Sequence, residues 1–396
     1  MSERCKKKLL MIFDTPFPFV LGGGQRRIFE IGKRLAEHGR VDWLCFKAWN
    51  GDNRITSDGI NYIGTRDIPS LYGESGNRNA KEPILFLLDV VKKLLSLRLY
   101  DTVWVAQWPL IHLIPIILVC KVFRVRLVID WWEVWDFRNW YSYARVLGPI
   151  GFAVQQITLL FVRVFRVTVV TDNNVEFKKL KAVLGKDFAL EIIPNGIPVE
   201  QIEKGIIEAS SGYDIVSLGR LKNHKGVDIL IKAVSLLSKS HLPNLRVGII
   251  GDGPERENLS LLIQELGLES NIDLLGSIES FETVYGIVKS SKLCALTTHN
   301  GGGGNLTLLE AYGCNLPVVA FRTEGGIDEN LIIDRDSGLF VNEVTAEALS
   351  EALLEILSNN DLLAQMRVGA ARFAKSLTWQ TNAVRYKEII FPERGI

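Results

Sequence analysis

The chain has 396 residues, 47% of them hydrophobic, and its 46 basic side chains nearly balance its 45 acidic ones. This length is too great for one typical core, so we expect two domains. The five cysteines are scattered and lack the paired spacing of metal ligands. A disulfide framework and a structural zinc site are therefore excluded by default, and a reducing compartment is indicated.

Short apolar runs alternate with amphipathic stretches along the first half of the chain. The predicted strands there are residues 8–14, 41–47, 60–63, 102–106, 125–130, 166–171 and 189–193. The first eight residues are charged and the apolar run that follows is short. We therefore interpret this start as a first strand and not as a signal peptide.

The second half repeats the alternation. Its predicted strands are residues 213–218, 245–250, 271–275, 292–298, 317–321 and 338–341. Strands that alternate with helices predict parallel sheets covered by helices on both faces, so the fold class is α/β with doubly wound domains. The stretch 195–212 breaks the pattern and is the predicted linker.

Charge and tryptophan are both concentrated in the first half. Residues 1–190 hold 28 Lys and Arg against 18 Asp and Glu, a balance of +10, which leaves −9 for the remainder. Six of the nine tryptophans lie between Trp104 and Trp140. Aromatic rings and cations together are typical of a surface that docks on anionic membrane. The alternative is a tryptophan-rich core beneath a solvated basic face.

We expect no membrane-spanning helix and no nucleic-acid partner. Residues 109–120 are about half the length of a spanning helix, and residues 147–170 are interrupted by Gln155, Gln156, Arg163 and Arg166. The basic half contains no recognised nucleic-acid-binding module and no regular basic helix. A peripheral protein on the inner face of the cell membrane, with its working parts in the cytoplasm, accounts for more of the pattern.

Four consecutive glycines, residues 301–304, run into a predicted helix that carries Glu310. Glycines allow a backbone to approach a ligand closely, and the free N–H groups at a helix start attract phosphate. Gly302, Gly303, Gly304, Asn305, Leu306 and Thr307 are therefore predicted to bind a nucleotide diphosphate. Glu310 lies too deep to cap the helix but can accept hydrogen bonds from a pair of sugar hydroxyls. The alternative is a glycine-rich surface loop before an ordinary buried helix.

Two further strand ends carry polar turns. Arg220 and Lys225 follow the strand 213–218, and a guanidinium with an ammonium suits a diphosphate, although charged turns are often simply solvated. Gly251, Asp252 and Gly253 follow the strand 245–250 and resemble a nucleotide loop without the dinucleotide glycine spacing. A tight strand-to-helix turn would use the same residues.

The order of these motifs resembles the retaining glycosyltransferases of family 4. The resemblance rests on Gly219–Leu221, Lys225–Gly226, residues 251–254, the glycine loop, Leu309–Ala311 and Leu316–Ala320, and it covers nearly the whole chain. Residues 17–39, with Gly23 and Gly24, resemble the family's first glycine loop and helix. The resemblance implies the GT-B fold, in which two Rossmann-like domains face each other across a cleft that holds a nucleotide-sugar.

The resemblance also assigns roles to the parts of the chain. It implies an acceptor-side domain at 1–194, a nucleotide-sugar-binding domain at 213–377, and a last helix at 378–396, anchored by Trp379, that crosses back to the first domain. Gly23 and Gly24 would approach the donor diphosphate, and Gln107 occupies a position where relatives often place an acceptor-side polar residue. A polar residue that merely ends a strand is the alternative for Gln107.

One position departs from the family. Members usually carry two glutamates seven residues apart, and the first would fall at Gly302. Glu310 can inherit the ribose contact, but Gly302 cannot supply the contact to the donor sugar. Asn300, Asn305 or His299 could replace it, and the sequence does not choose among them.

The expected chemistry depends on placement and charge. The sequence offers no convincing nucleophile–base pair, no paired carboxylates at one site and no metal cluster, so we expect no cofactor. Arg220, Lys225 and the helix start near Asn305 would stabilise the departing diphosphate. In retaining members a phosphate oxygen is thought to take the acceptor's proton. The predicted partners are a nucleoside-diphosphate sugar, a glycan or polyprenyl-linked acceptor and the membrane surface. The rival function is a catalytically weak subunit that binds sugar nucleotide or glycolipid.

Overall fold

The computed structural model describes residues 7–71, 79, 81–207, 212–299, 305–323 and 326–392. The chain divides into two compact units. The first contains residues up to Pro194 together with the stretch from Trp379 onward, and the second runs from Asn195 to Thr378. Each unit has its own sheet of mostly or entirely parallel strands flanked by helices, so the α/β class and the doubly wound architecture are confirmed.

The first unit is built on an eight-stranded sheet in the order β3-β4-β2-β1-β5-β6-β7-β8. Its strands are β1 (Lys8–Ile12), β2 (Arg40–Lys47), β3 (Arg54–Ser57), β4 (Ile60–Asp67), β5 (Thr102–Ala106), β6 (Arg126–Asp130), β7 (Thr168–Thr171) and β8 (Leu190–Ile192). Its helices are α1 (Gly23–Leu35), α2 (Lys81–Lys93), α3 (Leu113–Phe123), α4 (Phe137–Ala144), α5 (Gly148–Phe165) and α6 (Asn174–Leu184). The central strands are buried on both faces, which explains their uninterrupted apolar sequences.

The second unit has a six-stranded sheet in the order β11-β10-β9-β12-β13-β14. Its strands are β9 (Ile215–Leu218), β10 (Val247–Ile250), β11 (Ile272–Gly276), β12 (Leu293–Leu296), β13 (Val318–Phe321) and β14 (Gly338–Val341). Its helices are α7 (Val199–Glu203), α8 (Val227–Ser240), α9 (Arg256–Leu266), α10 (Phe281–Ser290), α11 (Asn305–Gly313), α12 (Ala346–Leu357) and α13 (Asn360–Ala374). The strand order reverses between β9 and β12, and ligands bind at such switch points in doubly wound sheets.

Helix α14 (Trp379–Ile390) belongs to the first unit. The guanidinium of Arg27 in α1 donates to Asp130 (2.9 Å), to the Ile193 carbonyl (2.7 Å) and to the Tyr386 hydroxyl (2.7 Å). Tyr386 in turn donates to Asp130 (2.8 Å). Burial opposes the charge of Arg27, but Asp130 and Tyr386 compensate and hold its pKa above the usual value. This fully buried network fastens the last helix to α1 and β6.

Each of the thirteen predicted strands overlaps a strand of the structure, but one strand was missed. β3 is a polar strand that pairs antiparallel with β4, so the first sheet is not purely parallel. The segment predicted as a linker, residues 195–212, contains α7, whose Ile202 is buried. Residues 195–207 thus belong to the fold of the second unit.

The tryptophans do not form an exposed aromatic surface, contrary to our expectation. All nine lie in the described part of the chain, and none is exposed. Trp43, Trp104 and Trp131 are completely buried, while Trp108, Trp135 and Trp140 pack on one another with ring centroids 5.1–5.7 Å apart. Seven of the nine tryptophans are thus buried in the first unit or packed against its core.

The expectation that no segment is long and apolar enough to span a membrane also needs correction. The continuous helical run Phe137–Phe165 has 29 residues, a mean hydropathy of 1.4 in its most apolar window, and 28% of that window buried. Its α5 portion packs Leu159 and Val162 into the core of the first unit. Length and composition alone therefore do not distinguish a spanning helix from a packed one here.

Candidate functional site

A shallow depression lies at the carboxyl ends of the central strands of the second unit. The ends of β9, β10 and β12 and the first turn of α11 line it. Its polar lining includes Arg220, Lys225, Thr297, Thr298 and Thr307. The structure thus brings together three of the sequence motifs: the turn after β9, the end of β12 and the helix after the glycine loop.

The turns after β9 and β10 touch through their backbones. Gly219 and Gly251 have φ angles of +145° and +140°, and a Cβ on Gly251 would lie only 1.9 Å from the Gly219 carbonyl oxygen. The Leu221 amide donates to the Asp252 carbonyl (2.9 Å), and a Cβ on Gly253 would lie 2.3 Å from the Leu221 carbonyl oxygen. Gly251 and Gly253 are therefore required by this packing, which holds the Arg220 turn in place.

Gly226 packs the 3-10 turn Asn223–Lys225 against the end of β12. Its φ is +62°, and a Cβ there would lie 2.4 Å from the Thr297 carbonyl oxygen. The Thr297 hydroxyl donates to the Lys225 carbonyl (2.8 Å), and the His299 amide donates to the His224 carbonyl (3.1 Å). Two hydrogen bonds and one close contact thus fix Lys225 beside the strand end.

The same turn concentrates positive charge. Burial and the neighbouring Lys222 lower the pKa of Lys225, and no carboxylate among the described residues pairs with it. Burial, then Lys225, Lys222 and His299, lower the pKa of His224 to about 4. Because a charged amine is costly to bury without a partner, this cluster is suited to an anionic ligand.

The glycine loop itself lies outside the described residues. Gly302, Gly303 and Gly304 are among residues 300–304, so their predicted diphosphate contacts stay predictions. Helix α11 begins at Asn305, Leu306 is half-buried, and Thr307 lines the depression. The helix start therefore reaches the position where the sequence analysis expects an anion.

Glu310 is half-buried on α11. Its Oε1 accepts a hydrogen bond from the Tyr285 hydroxyl (2.9 Å), and Tyr285 is 1% exposed on α10. The carboxylate is thus held by a rigid phenol, in the manner of a preorganised hydrogen-bond acceptor. Its predicted role as a ribose contact stays a prediction.

The glycines of the first unit serve partly in packing. Gly23 is the first residue of α1, and a Cβ on Gly24 would lie 2.5 Å from the Trp132 ring. Gly24 therefore lets α1 approach the loop after β6. This packing explains Gly24 without a ligand, while a donor contact by Gly23 or Gly24 stays a prediction.

Gln107 is completely buried after β5. Its Nε2 donates to the Glu133 carbonyl (2.6 Å), and its Oε1 accepts from the amides of Trp132 (2.5 Å) and Glu133 (2.9 Å). The side chain is therefore engaged within the protein, and an acceptor contact would require these bonds to break. In this arrangement Gln107 positions the loop 131–135, which corresponds to the alternative role given to it above.

Paired carboxylates, which the sequence analysis did not expect, occur in the first unit. Glu133 follows β6, and Asp172 and Glu176 follow β7. Burial raises the pKa of Glu133 to about 7, and the nearby carboxylates of Glu176 and, to a smaller extent, Asp172 add to this increase. Burial also raises the pKa of Asp172 to about 6. Glu133 accepts from Trp135 Nε1 (2.9 Å), and Glu176 accepts from the Val134 amide (2.6 Å). Both positions follow predicted strands, but only the sheet order of the structure shows that those strands are adjacent.

The residues that line the depression lie within a segment that matches a known family. Residues 199–373 match the family model described as "Glycosyl transferases group 1". This stretch is similar to the glycosyl transferases of group 1. The match begins at α7 and ends within α13, so it includes every second-unit residue of the predicted site. The narrower assignment to family 4 stays a prediction.

Curated relatives match part of the chain. An uncharacterized glycosyltransferase of Methanocaldococcus jannaschii is 28% identical over 55% of this chain and 60% of its own length. The D-inositol 3-phosphate glycosyltransferase of Corynebacterium jeikeium is 30% identical over 49% of this chain and 50% of its own length. The chain thus spans about half the length of these relatives.

Solved structures match both units. Sucrose-phosphate synthase from Thermosynechococcus elongatus superposes with a TM-score of 0.73 at 18% identity, covering 97% of this chain and 98% of that one. Anabaena HepE in complex with UDP gives a TM-score of 0.72 at 18% identity, covering 96% and 98%. At this identity the likeness shows the fold, which is GT-B as the resemblance implied.

Proposed function

We propose that the protein is a retaining glycosyltransferase that moves a hexose-type sugar from a nucleoside-diphosphate sugar to a glycan or polyprenyl-linked acceptor at the inner membrane surface. The observation that carries the donor half of this proposal is the cationic turn beside the depression. Arg220 and Lys225 line it, and no described carboxylate neutralises Lys225. A diphosphate would supply the missing negative charge.

The same charges support a metal-independent departure of the nucleotide. As the bond to the anomeric carbon breaks, negative charge grows on the diphosphate. Arg220, Lys225 and the first turn of α11 would stabilise that charge in place of a divalent cation. Glu310, held by Tyr285, would accept hydrogen bonds from the ribose hydroxyls. The relatives fit such a donor, since Anabaena HepE was crystallised with UDP-glucose.

The acceptor half of the proposal rests on an aliphatic face of the first unit. This face consists of the exposed apolar side chains of α2, the 3-10 helix Leu94–Leu99 that follows it, α3 and α5. They are Ile84, Leu88, Val91, Leu95, Leu99, Leu118, Val122, Ile150, Ile157, Leu160 and Val164. The helices are neighbours, because α3 contacts both the 3-10 helix and α5. An exposed apolar area of this extent marks an interaction surface.

Charge indicates the partner of the aliphatic face. The exposed charged residues of these helices and their carboxyl ends are basic: Lys81, Lys92, Lys93, Arg98, Lys121, Arg124, Arg163 and Arg166. Their acidic residues, Glu82 and Asp89, are 1% and 5% exposed. Apolar stripes flanked by cations fit the surface of an anionic membrane. The first unit would thus dock peripherally on the cytoplasmic leaflet, with aliphatic side chains in place of the tryptophans we first expected.

A donor and acceptor screen tests the function. The protein is incubated with UDP- and GDP-sugars and a membrane extract, with and without EDTA, and the product's anomeric configuration is determined by NMR. We expect transfer with retention, unaffected by EDTA. Inversion, or dependence on a divalent cation, would contradict the mechanism. Tight binding of nucleotide-sugar without transfer or hydrolysis would instead favour the binding subunit, a candidate supported by the glycine at position 302.

A further inference from the structure

His224 lies within the cationic cluster and has no role in the proposed transfer so far. It is the middle residue of the 3-10 turn Asn223–Lys225, and its carbonyl is fixed by the His299 amide. The ring is half-buried, and Lys225, Lys222 and His299 lie close enough to act on it electrostatically. The turn and the residue before it therefore carry three basic groups, of which Lys225 lines the depression.

The charged groups that face His224 are all basic. On its own turn these are Lys222 and Lys225, and from the end of β12 it is His299. Asp228, the acidic residue in the first turn of α8, pairs with Lys232 (2.9 Å) and does not act on the ring. Residues 300–304 contain one asparagine and four glycines, so they carry no charge. Among the described residues, no charged group that acts on the ring favours its protonation in the free protein.

We propose that His224 contacts the donor diphosphate and takes up a proton as it does so. The inference rests on the proposed donor site. Without ligand, burial and the neighbouring cations keep the pKa of His224 at about 4, so the ring is neutral at pH 7. A bound diphosphate brings two negative charges to the same cluster, which offsets the repulsion and favours the imidazolium. The ring then becomes an additional donor to phosphate oxygen.

Proton uptake has a definite sign. The pKa of His224 is higher in the complex than in the free protein, so low pH favours the complex. Affinity should fall as pH rises from the free pKa, about 4, to the pKa in the complex, by up to about tenfold per pH unit, and then level off. Cationic sites without a titrating group would show no such slope over this range.

The ligand for the test must not titrate itself. The terminal phosphate of a free nucleoside diphosphate has a pKa near 6, which would add its own slope. Both phosphates of UDP-glucose are esterified, so its charge stays constant between pH 5 and pH 8. UDP-glucose is therefore the probe, with GDP-mannose, which has the same property, as the second.

Calorimetric titration of the full chain at one pH, in two buffers of different protonation enthalpy, counts the protons taken up. For the parent we expect net uptake at pH 6 and affinity that falls towards pH 8. His224→Gln should bind with uptake near zero and a flat pH profile. The matched control is His241→Gln, an exposed histidine at the end of α8, which should behave as the parent.

A second variant acts on the ring without removing it. Lys222→Gln should raise the pKa of His224 in the free protein and so reduce the proton uptake on binding. An NMR titration that follows the His224 ring signals would report this pKa. Parental binding with no proton uptake, or undiminished uptake in His224→Gln, would overturn the inference and leave the donor site intact. Absence of binding by the parent to both probes would count against the proposed donor site itself.

Discussion

The Tyr285 hydroxyl donates a 2.9 Å hydrogen bond to Oε1 of Glu310. Tyr285 is buried on α10 and Glu310 is half-buried on α11, so the bond joins two helices at the edge of the candidate site. The Tyr285 hydroxyl uses only one of the acceptor sites of the Glu310 carboxylate. The carboxylate can therefore still accept hydrogen bonds from ribose hydroxyls. The pair therefore links the packing of the second unit to its proposed chemistry.

Glu310→Gln should weaken nucleotide binding without unfolding the protein. The amide keeps the shape of the side chain but replaces a charged acceptor, and a hydrogen bond to a charged group contributes about 1.5–3 kcal/mol. Calorimetric titration with UDP or GDP should show affinity lower by roughly ten- to a hundredfold. Tyr285→Phe, which removes one hydrogen bond to the carboxylate, should give a smaller loss. Unchanged affinity of Glu310→Gln would favour a purely structural role.

Arg220→Ala and Lys225→Ala should each slow sugar transfer. Both side chains line the depression, and a charge-assisted contact that strengthens in the transition state is worth at least about 1.5–3 kcal/mol. We expect a reduction of tenfold or more in kcat/KM for either variant. Lys232→Ala on α8 is the matched control, because that lysine forms an exposed pair with Asp228. Transfer at the parental rate by both site variants would contradict the assigned donor site.

Membrane docking should require the aliphatic face. Leu95→Glu and Val122→Glu place a carboxylate on side chains that are 70% and 75% exposed, so folding should be preserved while insertion and charge attraction are both opposed. In liposome co-sedimentation, the parent should bind anionic vesicles more than neutral ones, and less at high salt. The two variants should bind weakly. The control Val368→Glu, at a 63% exposed position in the second unit, should bind as the parent does.

The docking prediction has a clear contrary outcome. If the parent binds neutral and anionic vesicles equally, or binds neither at low salt, the aliphatic face is not a membrane surface. A soluble acceptor would then fit the chain better than a polyprenyl-linked one.

The first unit should become less stable as pH rises from about 4.5 to 7. Burial and Glu176 raise the pKa of Glu133 from 4.5 to about 7, so the folded state binds more protons than the unfolded state within this window. Deprotonation should therefore cost stability, by at most about 3 kcal/mol. Glu133→Gln should reduce this dependence, leaving the part that the raised pKa of Asp172 contributes, and should raise the melting temperature at pH 8. Glu37→Gln, at an exposed position in the same unit, is the control, and a dependence as steep in Glu133→Gln as in the parent would refute the assignment.

The sequence was informative about the sheets because their central strands are buried on both faces and therefore read as continuous apolar runs. β3 escaped prediction because it is a polar edge strand, partly or fully exposed at each of its four residues. The tryptophan-rich segment was correctly located but wrongly assigned to the surface, since composition does not report which side of a sheet a ring faces.

Part of the candidate site could be predicted in the same way. Arg220, Lys225 and Thr307 were selected from turns after strands, and such turns meet at the carboxyl edge of a parallel sheet. The approach of Glu133 to Glu176 could not be read from local pattern, because 43 residues separate them in the chain and only the pairing of β6 with β7 joins them. His224 was passed over because a lone histidine acquires meaning only from the cations packed around it.

The division of the chain also has a consequence for its synthesis. The first unit is discontinuous: its last helix, α14, is made after the entire second unit, yet it completes the buried network of Arg27, Asp130 and Tyr386. A nascent chain halted after residue 373 would contain the whole stretch that matches the group 1 family but leave Arg27 and Asp130 without Tyr386. The first unit can therefore complete its buried network only after α14 has been synthesised, whereas the second unit needs no residue beyond Thr378. Expression of residues 1–194 alone should accordingly give a poorly folded fragment, which a separately supplied α14 peptide could repair.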